Sequence, residues 1–229
     1  MPLLGDDCAV NGWFMDMGAR VLSSVPSDRR AMIGIDGVDG SGKSSFAAAL
    51  AQCFPGRQVI VIRLDEFLNP AATRHLQGKS SPEGFWLDTY NYDALTRDVI
   101  RPLRVGGNGL YRNSSYDLES DAILQPALMQ AGDQALIIVE GMFLHRPELA
   151  EEWDFSLFLD VPFGETARRM ASRDGSHPDP EHASMRRYVG GQRLYFDACQ
   201  PWNLATIVVD NRAPDRPRII MASEASAAG

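Results

Sequence analysis

Apolar and polar positions along the chain follow two alternating rhythms. Four short apolar, β-branched runs stand out at 32–35, 58–62, 135–139 and 206–209, and a fifth, more aromatic run covers 155–161. Near-continuous apolar runs of this length suit strands buried on both faces, as parallel strands are. Between them, apolar positions recur at helical spacing over 45–54, 92–103, 166–173 and 180–198, the first closed by Pro55-Gly56 and the last by Pro201. Strands alternating with helices predict an α/β sheet covered on both faces. A leading helix over 11–25 gathers Trp13, Phe14, Met17 and Leu22 on one apolar face, suited to packing on that sheet.

Two stretches interrupt the rhythm: 66–91, and the glycine-rich "RVGGNGLYRNSSYDLESD" at 104–121. Long irregular connections inside a compact domain are commonly functional. The turn-rich "RDGSHPDPEH" at 173–182 reads as the tip of a helical lid spanning 165–185. The tail 222–229 is small and polar, with nothing to bury, and is expected to be disordered, leaving one domain over 1–221.

Charge and cysteine usage narrow the setting. The 229 residues carry a net charge of −8, which disfavours nucleic acid and anionic membranes as partners and leaves room for a small anion held by a few local arginines. Cys8, Cys53 and Cys199 are odd in number and far apart, as expected of thiols in a reducing, cytoplasmic compartment. Asp6 and Asp7 do not resemble the basic flank of a leader, and no apolar run is long enough to span a bilayer.

The chemistry concentrates first in "IGIDGVDGSGKSS". Gly37 to Ser44 fits G-x-x-x-x-G-K-[ST] between an apolar strand and a helix. Gly37, Gly40 and Gly42 let successive N–H groups line an anion nest, and the helix adds its positive end. Lys43 is expected at the β and γ phosphates and Ser44 at Mg²⁺, with Asp39, Ser41 and Ser45 as further nucleotide contacts. Glu140 ends the strand in "LIIVEG" and should emerge beside the loop, in reach of the metal or its waters.

Several loop-bearing classes compete. A guanine-selecting N-K-x-D element is missing, because Arg212 stands where "DNRAPD" would need lysine. "VGGQR" at 189–193 resembles a transporter signature but lacks the leading Leu-Ser, and Asn211 replaces the carboxylate that would activate water. A kinase needs a carboxylate to orient the acceptor hydroxyl and cations to meet charge on the transferring group. Asp65, in "VIRLDEF", suits the first need; Arg168, Arg169 and Arg173, in "ARRMASRDG", suit the second.

As a set, these residues resemble the uridine kinase family, with the related phosphoribulokinase and pantothenate kinase group. "IGIDGVDGSGKSSFA", "LDEF", "YDLESD", "VEGMFLHRPEL" and "ARRMASRD" are similar to its phosphate loop, acceptor-activating element, base-binding segment, strand-end glutamate and lid. The resemblance implies a P-loop NTPase three-layer α/β/α sandwich with a five-stranded parallel sheet in 2-3-1-4-5 order. It also implies ATP with Mg²⁺ as donor, and a nucleoside 5′-hydroxyl as acceptor with Asp65 as activating carboxylate. Tyr116 and Asp121 fall in the base-binding segment, but Asp121 stands where pyrimidine-binding members carry histidine, and an ionised carboxylate cannot donate to a uracil carbonyl. The ribose-handling segment is replaced by "LDTYNYDAL", where Asp88 is the candidate for the ribose hydroxyls and Tyr90 for a base. Arg112 is a candidate for an acidic acceptor, Glu140 for the substrate edge and Arg212 for stacking on adenine.

The sequence thus predicts an ATP-dependent phosphotransferase acting on a hydroxyl of a uridine- or cytidine-like nucleoside. Pantothenate, a sugar phosphate or nicotinamide riboside remain as alternative acceptors. A non-catalytic ATP-binding regulator would show a broken catalytic element, and none is broken. A homo-oligomer stays open.

Overall fold

The computed structural model describes residues 6–226. Six strands form one sheet: β1 (Ala31–Gly37), β2 (Val59–Arg63), β3 (Leu136–Glu140), β4 (Phe155–Asp160), β5 (Ile207–Asp210) and β6 (Arg218–Ile220). Their order is β6-β5-β4-β1-β3-β2, and β1 to β5 run parallel. The five expected strands therefore lie in the expected 2-3-1-4-5 order.

Strand alternation divides the core into two layers. Ala31, Ile33 and Ile35 of β1 join Ile138, Leu157 and Val209 on the face covered by α1 (Asp6–Ser24) and α2 (Lys43–Ala51). Met32, Ile62, Val139 and Phe158 face the opposite way. There they meet α3 (Pro82–Asp88), α4, which begins at Tyr92–Leu95 and ends at Arg101–Leu103, and α6 (Arg186–Cys199). Within α4, Thr96–Ile100 forms a wide π turn just ahead of Pro102, whose missing N–H cannot continue the helical ladder. The helix α5 (Phe163–Asp174) has its own small apolar cluster, Ala167 and Met170 against Met185 and Val189 at the start of α6.

Several boundaries differ from the expectation. The leading helix α1 starts at Asp6 rather than at 11, and Leu22 is exposed on it, unlike Phe14 and Met17. The sheet has a sixth strand, because β6 turns back antiparallel to β5 and Arg218 pairs with Asp210 at 2.6 Å. Only three residues long and mostly exposed, it carries no burial pattern for a sequence reading to find. The segment 222–226 is ordered rather than disordered: Ala222–Glu224 form a turn, Ala225 is buried, and the Ser226 N–H and hydroxyl donate to Asp160. Residues 227–229, the rest of the expected tail, lie outside the described residues. The last long helix starts at Arg186, not at 180, after a 3-10 turn at Ala183–Met185, because 179–184 is taken up by side-chain-capped turns in which Asp179 accepts the Glu181 N–H and the His182 ring accepts the Ser184 N–H. Among the described residues, no helix is long and apolar enough to cross a membrane.

Candidate active site

The parallel strands all deliver their carboxyl ends to one edge, where β1 passes through the glycine loop into α2. Gly40 and Gly42 have φ of 75° and 92°, a region that L side chains rarely adopt. At Gly40 a methyl group would also lie 3.0 Å from the Thr166 carbonyl of α5, so the loop and α5 approach backbone to backbone. The Lys43 ammonium donates to the Val38 carbonyl at 2.9 Å, which holds it across the mouth of the loop. The Ser41 hydroxyl is buried there without a partner, while Asn211 donates to the Ser41 carbonyl at 2.7 Å. Gln192 accepts from the Asp39 N–H at 2.7 Å.

Beneath the loop lies a carboxylate that the sequence reading passed over. Asp36, fully buried at the end of β1, accepts the N–H groups of Gly37, Phe143, Leu144 and His145, the His145 ring at 2.9 Å and the Tyr195 hydroxyl at 2.5 Å. Burial pushes its pKa up, but His145, Tyr195 and the Gly37 amide outweigh that and hold it below the usual value. The His145 ring continues to the Ser156 hydroxyl at 3.0 Å. The loop's first residue is thus anchored to β4, α6 and the segment after β3. A charged residue inside an otherwise apolar strand was the available signal.

Glu140 ends β3 beside Ile35 of β1 and Arg63 of β2. It accepts from the Ser44 hydroxyl at 2.8 Å, and Arg63 stands 4.0 Å away. Burial pushes the Glu140 carboxyl up, partly offset by Ser44 and Lys43, and the charge of Asp65 adds to the rise. Asp65 therefore lies near Glu140 at the same edge. It is exposed on the 3-10 turn Leu64–Phe67 that follows β2, and the Tyr90 hydroxyl donates to it at 2.9 Å. Ser44, Arg63, Glu66, Asn113 and Glu140 border an open cleft of about 390 Å³.

Other expected site residues are placed differently. Tyr90 is buried, its ring edge-on to Tyr92 and Phe143, so it presents no face to a base. Burial, then the neighbouring Asp65, pushes its phenol well above the usual range and keeps it a donor. Arg112 is a correction as well: it donates to the Pro126 carbonyl and meets Asp98 at 3.4 Å, bracing the 104–130 connection rather than a ligand. Asp121 accepts from the Ala71 N–H at 2.8 Å and from the Tyr116 hydroxyl, whose oxygen also takes a bond from Arg74 at 3.2 Å. Tyr116 and Asp121 are thus brought together, as expected of one segment. Asp88 is tied to Gln77 at 2.7 Å.

The lid arginines divide. Arg169 is strapped down, donating to the carbonyls of Gly40 at 3.3 Å and of Asn211 and Arg212 at 3.0 Å each. Its guanidinium locks α5 to the loop and is not free to swing. Arg168 is exposed and pairs with Glu165, while Arg173, 60% exposed, bonds Asp174 and lies 3.7 Å from Asp39. Arg212 points back to Asp210, bonding both its oxygens at 2.9 and 2.8 Å, so its charge is already paired within the protein.

With this geometry in place, comparison with known proteins is direct. The family model described as phosphoribulokinase / uridine kinase matches residues 32–176, well over half of the chain. Nicotinamide riboside kinase 1 of Mus musculus is 28% identical over 154 residues, 66% of this chain and 71% of the relative. The Homo sapiens protein of the same name is 27% identical over 150 residues, 65% and 67% of the two chains. A solved structure of a possible uridine kinase from Bacillus stearothermophilus superposes with a TM-score of 0.67 at 23% identity, over 85% of this chain and 96% of that one. D-glycerate 3-kinase from Cryptococcus neoformans gives 0.54 at 11% identity, over 92% and 97%. At these identities the two structures speak for the fold alone. The matched segment contains the glycine loop, Asp65, Glu140 and the lid arginines, and the chain belongs to the phosphoribulokinase / uridine kinase family of P-loop kinases.

Proposed function

We propose that this kinase transfers the γ-phosphoryl group of ATP to a hydroxyl of a riboside-like small molecule. The observation that carries the reading is Asp65, an exposed carboxylate oriented by a buried phenol at the edge that holds Lys43 and the Ser44–Glu140 pair.

The residues fit the implied donor. The Ser41 hydroxyl is a buried polar atom without a partner inside an N–H nest, as a phosphate cradle requires. Ser44 and Glu140 present two oxygens, a donor set suited to a hard cation or its waters. Mg²⁺–ATP, when bound, would supply a polarised, transferable phosphoryl group. Tyr90 engages one oxygen of Asp65, and the other takes the acceptor hydroxyl. As the acceptor oxygen bonds to phosphorus and the bond to the β-phosphate oxygen breaks, the hydroxyl proton passes to Asp65. Lys43 meets charge on the phosphates, and Arg173, exposed on the lid beside Asp39, adds to it by exchanging its Asp174 partner for phosphate.

Among ribosides, the similarity to nicotinamide riboside kinases favours nicotinamide riboside over uridine. Asp121 agrees, since its carboxylate is held below its usual pKa by Tyr116 and the Ala71 N–H and stays ionised, which suits a cationic base better than a uracil carbonyl. The test incubates the protein with Mg²⁺–ATP and nicotinamide riboside, uridine, cytidine, pantothenate and simple sugars, and follows ADP release. Turnover with a riboside supports the reading. No acceptor-dependent ADP from any compound overturns it in favour of an ATP-binding regulator.

A further inference from the structure

Asp39 is the acidic side chain within the glycine loop, and its two neighbours face different ways. Val38 packs in the core layer that holds Phe67, Leu68, Phe85 and Tyr90, from the segments that carry Asp65 and Asp88. Gly40 abuts the Thr166 carbonyl of the lid helix α5. Asp39 therefore stands where the loop passes from the acceptor side to the lid. Its N–H donates to Gln192 of α6 at 2.7 Å, and the buried Gln192 is held in turn by donating to the Tyr188 carbonyl at 2.9 Å. The peptide is fixed, while the carboxylate is left 30% exposed. Among the described residues its ionic partner is Arg173 at 3.7 Å, beyond hydrogen-bond reach. Asp88 and Asp121, by contrast, already accept from Gln77 and from Tyr116 with the Ala71 N–H. The charge of Asp39 also reaches the Tyr90 phenol, adding to the rise that burial and Asp65 cause there.

A carboxylate is a poor ligand for a triphosphate, because like charges repel and it would oppose what Lys43 supplies. It is a strong acceptor for a hydroxyl. We propose that the Asp39 side chain binds the acceptor, taking a hydrogen bond from a ring hydroxyl of the riboside whose reacting hydroxyl lies at Asp65. The inference rests on the riboside-kinase reading above and deepens it, replacing the expected nucleotide contact of Asp39 with a specificity-determining role on the acceptor. As Arg173 turns to phosphate, the Asp39 oxygens are uncovered for that hydroxyl. Ring hydroxyls are common to all ribosides, so a residue fixed in the loop can read them, and the base is left to the connections 66–91 and 104–121.

The test measures turnover of the wild-type chain, Asp39→Ala and Asp39→Asn with uridine, nicotinamide riboside and the 2′-deoxy and 3′-deoxy forms of each, and ATP affinity by calorimetry. In the wild type, removing the recognised hydroxyl should lower kcat/KM at least about tenfold. Asp39→Ala should lose a similar factor on the intact riboside, and the matching deoxy form should cost it less than about twofold more, since the hydroxyl's partner is already gone. Asp39→Asn keeps one acceptor oxygen and should fall between, and ATP affinity should not drop in either variant. Wild-type indifference to both deoxy forms, or full discrimination retained in Asp39→Ala, would mean that the hydroxyls are read elsewhere. Loss of ATP affinity in both variants would mean that Asp39 serves the nucleotide. Each of these overturns the proposal while leaving the kinase reading intact; a wild-type chain that phosphorylates none of the ribosides overturns both.

Discussion

The two halves of the sheet edge are built in opposite ways. On the donor half, the glycine loop hangs on Asp36, a buried carboxylate with four amide, one imidazole and one phenol partner, and is braced by Asn211, Gln192 and Arg169. On the acceptor half, Asp65, Asp88 and Asp121 each rest on one or two bonds at or near the surface. A phosphate cradle needs a fixed array of N–H groups whatever the acceptor, so rigidity is concentrated where the chemistry is generic. On the proposed reading, acceptor recognition falls to the long connections 66–91 and 104–121, where loops can vary without disturbing the sheet.

That contrast can be broken experimentally. Asp65→Asn should cut phosphoryl transfer by on the order of a hundredfold or more with ATP affinity unchanged; equal loss of binding would mean that the halves are not separable. Asp36→Asn sets an amide against a cluster of N–H donors and should cost about 3 kcal/mol in chemical denaturation. It should also flatten the acid limb of stability. The folded-state pKa of Asp36 is depressed, so its contribution is present above the unfolded value and is lost as pH falls from about 4 downward. Tyr90→Phe should lower kcat about tenfold while leaving the Kd for ATP alone, since the phenol only orients Asp65. The smallest effect is expected from Asp121→Asn, a severalfold rise in KM for the acceptor with no change in ATP affinity. A change in ATP affinity there would dissolve the comparison.

How much of this was legible follows from where each residue's constraint originates. The five parallel strands announced themselves because burial on both faces demands unbroken apolar runs. The glycine loop was legible because left-handed backbone and anion binding restrict residue type locally. Tyr90 was not, since a tyrosine reads alike whether it stacks on a ligand or lies buried with its hydroxyl on Asp65. Arg169 and Arg173 are one helical turn apart and look equivalent in sequence, yet one is strapped to three carbonyls and the other stands 60% exposed. The Ser226 contact to Asp160 rests on a group far along the chain, and β6 is too short and too exposed to leave a burial pattern, so neither shows in local composition.

By itself the sequence determined the layered α/β architecture, the phosphate loop and Asp65 at the end of the second strand, all set by local periodicity or by backbone conformations that few residues adopt. Only the tertiary structure decided which charged side chains are braces and which stand exposed at the sheet edge, and it alone brought α1 to the loop. Several of those outcomes depend on partners a hundred or more residues away, such as Asp36 with Tyr195 and Gly40 with Arg169, and no local pattern encodes a partner at that distance.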